Sequence, residues 1–145
     1  MKKPKITIGR REKVDFPQLG LAGIDAKIDT GAYTSSIHCS SVVEIEIDGV
    51  LYVKFNLKGH SHEAFTKKML LWPVYKLKKI KNSFGQTEER YVIKTKIAIF
   101  DRVLPIELTL ADRSLMEYPV LLGRKILKRG FLVDVTKLNC SLKRK

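Results

Sequence analysis

Residues 26–39 read AKIDTGAYTSSIHC, and the fold turns on how the step Asp29-Thr30-Gly31-Ala32 inside that stretch is understood. A short apolar alternation, Ala26 and Ile28, runs directly into an acidic residue, a hydroxyl residue and a glycine. Chain reversal alone accounts for Asp-Thr-Gly, because aspartate and glycine are ordinary turn residues. The rest of the chain decides whether more is meant.

Most of it is patterned as strand. Segments 5–8, 24–28, 43–47, 51–57, 91–100 and 103–110 alternate or are rich in Val, Ile, Tyr and Phe. Asp48-Gly49 joins VVEIEI to LYVKFNL, which predicts a tight hairpin over residues 42–57, since both turn residues accept positive φ. A second hairpin is expected over about 74–98, with Asn82-Ser83-Phe84-Gly85-Gln86 at its tip, and Asp101-Arg102 forms a third connection. GRKILKR, residues 123–129, follows the apolar YPVLLG and stops at Gly130, predicting a short helix before the strand FLVDV. The reading is a mainly β chain with one short C-terminal helix. No repeat or Pro/Gly-rich linker divides the 145 residues, so residues 1–145 are expected to form a single domain.

This order of parts resembles the retropepsin-like aspartic peptidases. Their closed barrel carries an apolar-x-apolar-Asp-Thr-Gly-Ala loop, a flap hairpin, and an apolar-apolar-Gly-Arg turn that starts the helix. Here Ala26, Ile28, Asp29, Thr30, Gly31 and Ala32 match the loop, and Leu121, Leu122, Gly123 and Arg124 match the turn. Together AKIDTGAYTSSIHC, ELTLADRSLMEYPVLLGRKIL and FLVDV look like the bacterial retropepsin-like family commonly labelled ATP-dependent zinc proteases, often found beside glutamate ligases of the RimK type. The resemblance implies an aspartic peptidase with Asp29 as the catalytic residue and Ser83, Phe84 and Gly85 at the flap tip. Viral members carry an aspartate after the Ala, available to the arginine of the turn. Here that position is Tyr33, which leaves Asp112 or Asp134 as the candidate partner of Arg124. The 42–57 hairpin is an addition to the compact viral plan.

The chemistry of the loop stands on its own. Two carboxylates held close together cannot both ionise comfortably, so they share a proton. One then activates water and the other donates to the substrate carbonyl. Gly31 is expected to let the backbone approach the pair, and Thr30 to hydrogen-bond across to the partner loop. The chain has one such loop, so a complete dyad requires a homodimer in which each copy gives its Asp29.

Composition narrows the setting. The chain has 28 Lys and Arg against 15 Asp and Glu, a formal charge of +13, which favours an acidic partner. Lys76, Lys78, Lys79 and Lys81 crowd the arm leading to the flap tip. They serve either to draw an acidic, glutamate-rich peptide into the cleft or only to keep a solvated edge strand from aggregating. No apolar run approaches the roughly 20 residues that span a bilayer, and the basic N-terminus lacks the apolar stretch of a signal peptide, so a cytoplasmic protein without a membrane partner is expected. Cys39 and Cys140 are expected to be reduced thiols.

His60-Ser61-His62-Glu63 and His38 hold imidazoles and a carboxylate but form no His-Glu-x-x-His pattern, and no Gly-x-x-x-x-Gly-Lys run occurs. No metal and no cofactor are expected, whatever the family label says. The alternative to a peptidase is a catalytically silent barrel that binds RNA, ribosome or another acidic partner through its basic surface. The intact Asp-Thr-Gly-Ala favours the enzyme, and the absence of an aromatic-Gly-aromatic signature weighs against nucleic acid.

Overall fold

Strand pairing closes the chain on itself in the computed structural model, which describes residues 4–62, 65, 69–81 and 84–144. In chain order the elements are β1 (Ile6–Ile8), β2 (Arg11–Phe16), β3 (Leu21–Ile28), β4 (Ser35–His38), β5 (Ser41–Ile47), β6 (Val50–Asn56), β7 (Met69–Pro73), β8 (Lys76–Lys81), β9 (Thr87–Ile99), β10 (Arg102–Ala111), β11 (Val120–Leu122), α1 (Arg124–Leu127) and β12 (Phe131–Val133). Neighbours run β10-β4-β11-β3-β2-β9, and the antiparallel pairing of β9 with β10 closes these six strands into a barrel. Closure leaves the barrel strands without a free edge. β8 hangs from β9 as the hairpin arm, β5-β6-β7 form a separate three-stranded sheet, and β1 pairs in parallel with β12. The mainly β closed barrel, with one α-helix among the described residues, is thus as the sequence predicts. No helix among the described residues is long and apolar enough to cross a membrane.

Alternation explains the interior. Ile24, Ala26, Ile37, Ile93, Ile97, Leu108 and Leu122 are almost fully buried on the inward faces of the barrel strands. The predicted 42–57 hairpin is β5 and β6, and its turn has Asp48 and Gly49 both at positive φ, 49° and 80°. Val53, Phe55 and Leu57 carry that hairpin into the same core. Burying a side chain the size of Phe55 contributes about 1.5–3 kcal/mol.

Three strands escape the hydrophobic pattern. β2 alternates in burial, but its inward row is Glu12, Val14 and Phe16, so a charge stands where an apolar residue is expected. The Glu12 carboxylate is tolerated there because it accepts four hydrogen bonds. They come from the N–H groups of Gly9 (2.7 Å), Cys140 (2.9 Å) and Ser141 (2.9 Å) and from the Ser141 hydroxyl (2.8 Å). β4, reading Ser-Ser-Ile-His, is polar yet mostly buried, and β7 ends on a proline that edge positions accept.

β11 lies between the two strands that lead into and out of the Asp29 loop. It runs parallel to β3, with Leu122 beside Ile28, and antiparallel to β4, with Leu121 beside Ser36. The two sequence motifs are therefore neighbours in space. Where they touch, a Cβ on Gly123 would stand 2.5 Å from the Thr34 carbonyl oxygen and 2.8 Å from that of Ala32. Backbone cannot yield as a flexible side chain can. Gly123→Ala is expected to cost about 2 kcal/mol or more in urea unfolding, and a variant as stable as the wild type would show that this close approach does not hold the motifs together.

Candidate active site

The Asp29 loop is held from both sides by backbone. The Asp29 N–H donates to the Leu122 carbonyl at 2.9 Å, and the Ala32 N–H closes the turn onto the Asp29 carbonyl at 3.2 Å. From the facing turn, the N–H groups of Arg124 and Lys125 donate to the carbonyls of Ala32 (2.8 Å) and Tyr33 (2.9 Å). The Gly123 N–H donates to the Ser35 hydroxyl at 3.1 Å. Asp29 is half-buried, while Thr30 and Gly31 are exposed.

Gly31 donates its N–H to Asp29 Oδ1 at 2.9 Å, and a Cβ there would sit 3.1 Å from the same oxygen. Gly31 is not among the residues with positive φ, so its use is closeness to the carboxylate rather than a left-handed turn. The Thr30 carbonyl accepts from Arg124 Nη1 at 2.9 Å. This corrects the expectation for Arg124. Asp112 is taken up by the Ser114 N–H and Asp134 by Thr136, whereas Arg124 braces the loop through a carbonyl and lies over the Tyr33 ring, 5.7 Å from its centroid.

The four lysines of β8 divide by strand alternation. Lys78 reaches inward, its ammonium donating to the Thr34 hydroxyl at 3.1 Å, and Lys76 lies 3.6 Å from the Glu107 carboxylate. Lys79 is exposed on the other face, with Lys81 beyond it. At the flap tip Ser83 lies outside the described residues, Phe84 is 89% exposed, and Gly85 turns with φ 80°. Trp72 is accounted for by packing, its indole N–H donating to the Lys94 carbonyl at 2.8 Å.

Beside the loop is a cavity of about 400 Å³ whose lining includes Thr34, Lys94, Glu107, Lys125, Lys128 and Arg129. Asp29 is not among its lining residues. Lys125 donates to Glu107 at 2.6 Å. Burial alone would raise the Glu107 carboxyl, but the hydrogen bond and charge of Lys125, with the charge of Lys76, outweigh it and hold the group below its ordinary pKa. One carboxylate thus neutralises part of the basic wall.

The three histidines gather around Phe65, each ring centroid 5.9–6.1 Å from it. Both ring nitrogens of His38 and of His60 are already used. His38 accepts the Arg113 N–H at Nδ1 (2.9 Å) and donates from Nε2 to the Lys58 carbonyl (2.9 Å). His60 accepts the His62 N–H at Nδ1 (3.0 Å) and donates to the Met116 carbonyl (2.9 Å). Rings spent in this way do not fit a zinc ion, and among the described residues no group of three His, Cys, Asp or Glu is placed to hold one. Glu63 lies outside the described residues. Beside them Cys39 is buried, and burial followed by the charge of Asp112 pushes its thiol up to about 12, far from a nucleophile at neutral pH.

The sequence did not single out Arg113. It sits between β10 and β11, donating from Nε to the Tyr118 carbonyl (2.9 Å) and from Nη1 to the Ser36 hydroxyl (3.3 Å). A lone arginine just ahead of the second motif was its only signal.

A family model described as "Retropepsin-like aspartic endopeptidase RimB" matches residues 7–143. Curated relatives include proteins named "Probable alpha-L-glutamate ligase". That of Desulfotalea psychrophila is 37% identical over 95% of this chain and 30% of its own length; that of Shewanella pealeana is 36% identical over 94% and 30%. The chain thus spans about 30% of the length of these relatives. The crystal structure of Lpg0085 from Legionella pneumophila, a protein titled as of unknown function, superposes with a TM-score of 0.73 at 26% identity, covering 93% of this chain and 97% of that one.

Burial keeps His60 neutral and lowers its pKa from the usual 6.5, against the pull of the Met116 carbonyl. The unfolded chain therefore takes up a proton that the folded chain refuses. Stability is full above pH 6.5 and falls as the pH drops below it, by at most about 1.4 kcal/mol per unit. In urea unfolding at pH 7 and pH 5, His60→Gln should lose less stability over the interval than wild type; equal losses would show that His60 does not resist protonation.

Proposed function

The chain belongs to the RimB-like family of retropepsin-like aspartic endopeptidases, and on that ground we propose that it hydrolyses acidic, glutamate-rich peptides or tails with an aspartate dyad built from two copies of itself. The observation that carries the proposal is the position of Asp29. Its carboxylate is half-buried, one oxygen is fixed by the Gly31 N–H, and its backbone is locked to the neighbouring motif. The Gly31 bond is the same local turn bond that Asp112 and Asp134 make, so what sets Asp29 apart is the locking of its loop to the neighbouring motif, which holds the carboxylate in place for acid and base work.

One such carboxylate is half of a catalyst. Two loops facing each other across a two-fold axis bring the Asp29 side chains together, where they share a proton. The ionised member takes a proton from water while the protonated member donates to the peptide carbonyl. The exposed Thr30 side chain is available to tie the loops to each other.

The substrate class follows from charge and company. The relatives are named for joining glutamate, and a hydrolase that matches part of such a protein suits a glutamate-rich product. A formal charge of +13 draws an acidic chain toward the protein, and Lys78 reaches Thr34 in the segment that follows the Asp29 loop. The cytoplasm is the setting in which such a substrate would be met.

Incubation with a protein carrying a polyglutamate tail, read by mass spectrometry, tests the activity. Wild type should shorten the tail, and Asp29→Asn should be slower by about a thousandfold or more. Specific activity should also fall on dilution, in step with the fraction of dimer. Cleavage by both proteins, or by neither, would contradict the peptidase reading. Tight binding of the tail without cleavage would favour a silent basic barrel instead.

A further inference from the structure

Arg113 is fixed in place by neutral groups. Its guanidinium is half-buried and fixed by two of its N–H groups, one to the Tyr118 carbonyl and one to the hydroxyl of Ser36 on β4, the strand that leaves the Asp29 loop. Among the described residues it forms no ion pair, although it feels the charge of Asp29. The flap arm brings a second arginine to it. Arg90 on β9 stands across from Lys78, is close enough to repel Arg113, and has a buried Nε without a hydrogen-bond partner among the described residues. Its other contact is a long one, 3.4 Å from Nη2 to the carboxylate of Glu88. Lys78 completes the group by donating to Thr34.

Lys78 and Arg113 thus touch the segment that follows Asp29, and Arg90 stands beside both. Like charges brought together in a half-buried site favour an anion between them. A planar guanidinium with N–H groups to spare matches a carboxylate in two parallel hydrogen bonds, which an ammonium cannot do. We propose that Arg113, assisted by Arg90, binds the side-chain carboxylate of an acidic residue beside the scissile bond and so sets the specificity of the site. The proposal rests on the peptidase reading for its scissile bond, and it goes further by naming the residue that selects the substrate.

The competing role for Arg113 is structural, as a clamp on the loop that ends at Tyr118. Turnover of a matched peptide pair, Glu against Gln at a position flanking the cleaved bond, separates the two. Wild type should favour the Glu peptide by roughly thirtyfold or more in kcat/KM. Arg113→Gln should lose that preference, its drop in kcat/KM being roughly tenfold or more larger for the Glu peptide than for the Gln peptide, and Arg113→Lys should recover part of it. A loss shared equally by both peptides, or an unchanged preference, would overturn the assignment and leave the peptidase reading intact.

A binding measurement makes the test independent of turnover. Calorimetric titration of Asp29→Asn should show the same Glu-over-Gln preference, abolished when Arg113→Gln is added to it. Equal binding of the two peptides would overturn the carboxylate site. Preference that depends on Arg113, in a protein that cleaves neither peptide, would remove the peptidase reading and keep the site.

Discussion

The structure depends on one backbone interlock. Between Asp29 and Ser35 the chain has no strand partner of its own, and several of its polar groups are taken by the segment that begins at Leu122. Leu122 accepts from Asp29, Ala32 and Tyr33 accept from Arg124 and Lys125, and Ser35 accepts from Gly123. Each bond contributes about 1 kcal/mol, but leaving several such groups unpaired would cost more than forming them gains. The contact requires a residue without a side chain at position 123, because carbonyl oxygens already fill the space. The loop's rigidity is therefore supplied by a segment some ninety residues away in the chain, which is why the two motifs are meaningful only as a pair.

That rigidity gives the surrounding charge its meaning. A formal charge of +13 describes the whole chain, yet the cations near the loop are not equivalent. Glu107 pairs with both Lys125 and Lys76 and cancels one of their two charges, so the cavity that Glu107 and Lys125 line is less basic than its cations suggest. Arg124 is spent on the Thr30 carbonyl, where it serves as a brace. Arg113 and Lys78 touch the segment after Asp29 and Arg90 stands beside them, with no buried carboxylate paired to any of the three among the described residues. On the proposed reading, attraction at long range and carboxylate selection at short range would be the work of different residues.

Hydrophobic alternation made the barrel legible. Parts of β3, β6, β9 and β10 bury every second residue, as at Ile24-Ala26-Ile28, Val53-Phe55, Ile93-Thr95-Ile97-Ile99 and Ile106-Leu108-Leu110, and Asp48-Gly49 marked its hairpin because both positions need positive φ. The paired motifs located Asp29 and Gly123 without reference to any alternation. What escaped was polar structure buried by satisfaction rather than by apolarity. Glu12 hides a strand because its four donors come from both ends of the chain. Ser35 and His38 hide another, since their partners are long-range backbone groups that no local pattern reports. Arg124 was misread for the same reason, its carbonyl partner being invisible to a search for opposite charge. Arg113 shows up only when β10 and β11 are folded onto β4.

The central claim is that two Asp29 carboxylates act as one group across a two-fold axis. Mixing wild-type and Asp29→Asn chains at constant total concentration, after subunits have exchanged, measures this directly. If both carboxylates are needed, activity follows the square of the wild-type fraction, so an equal mixture retains about a quarter of full activity. A straight-line dependence, with about half the activity at equal mixture, would contradict the shared dyad and place the whole of catalysis within one chain.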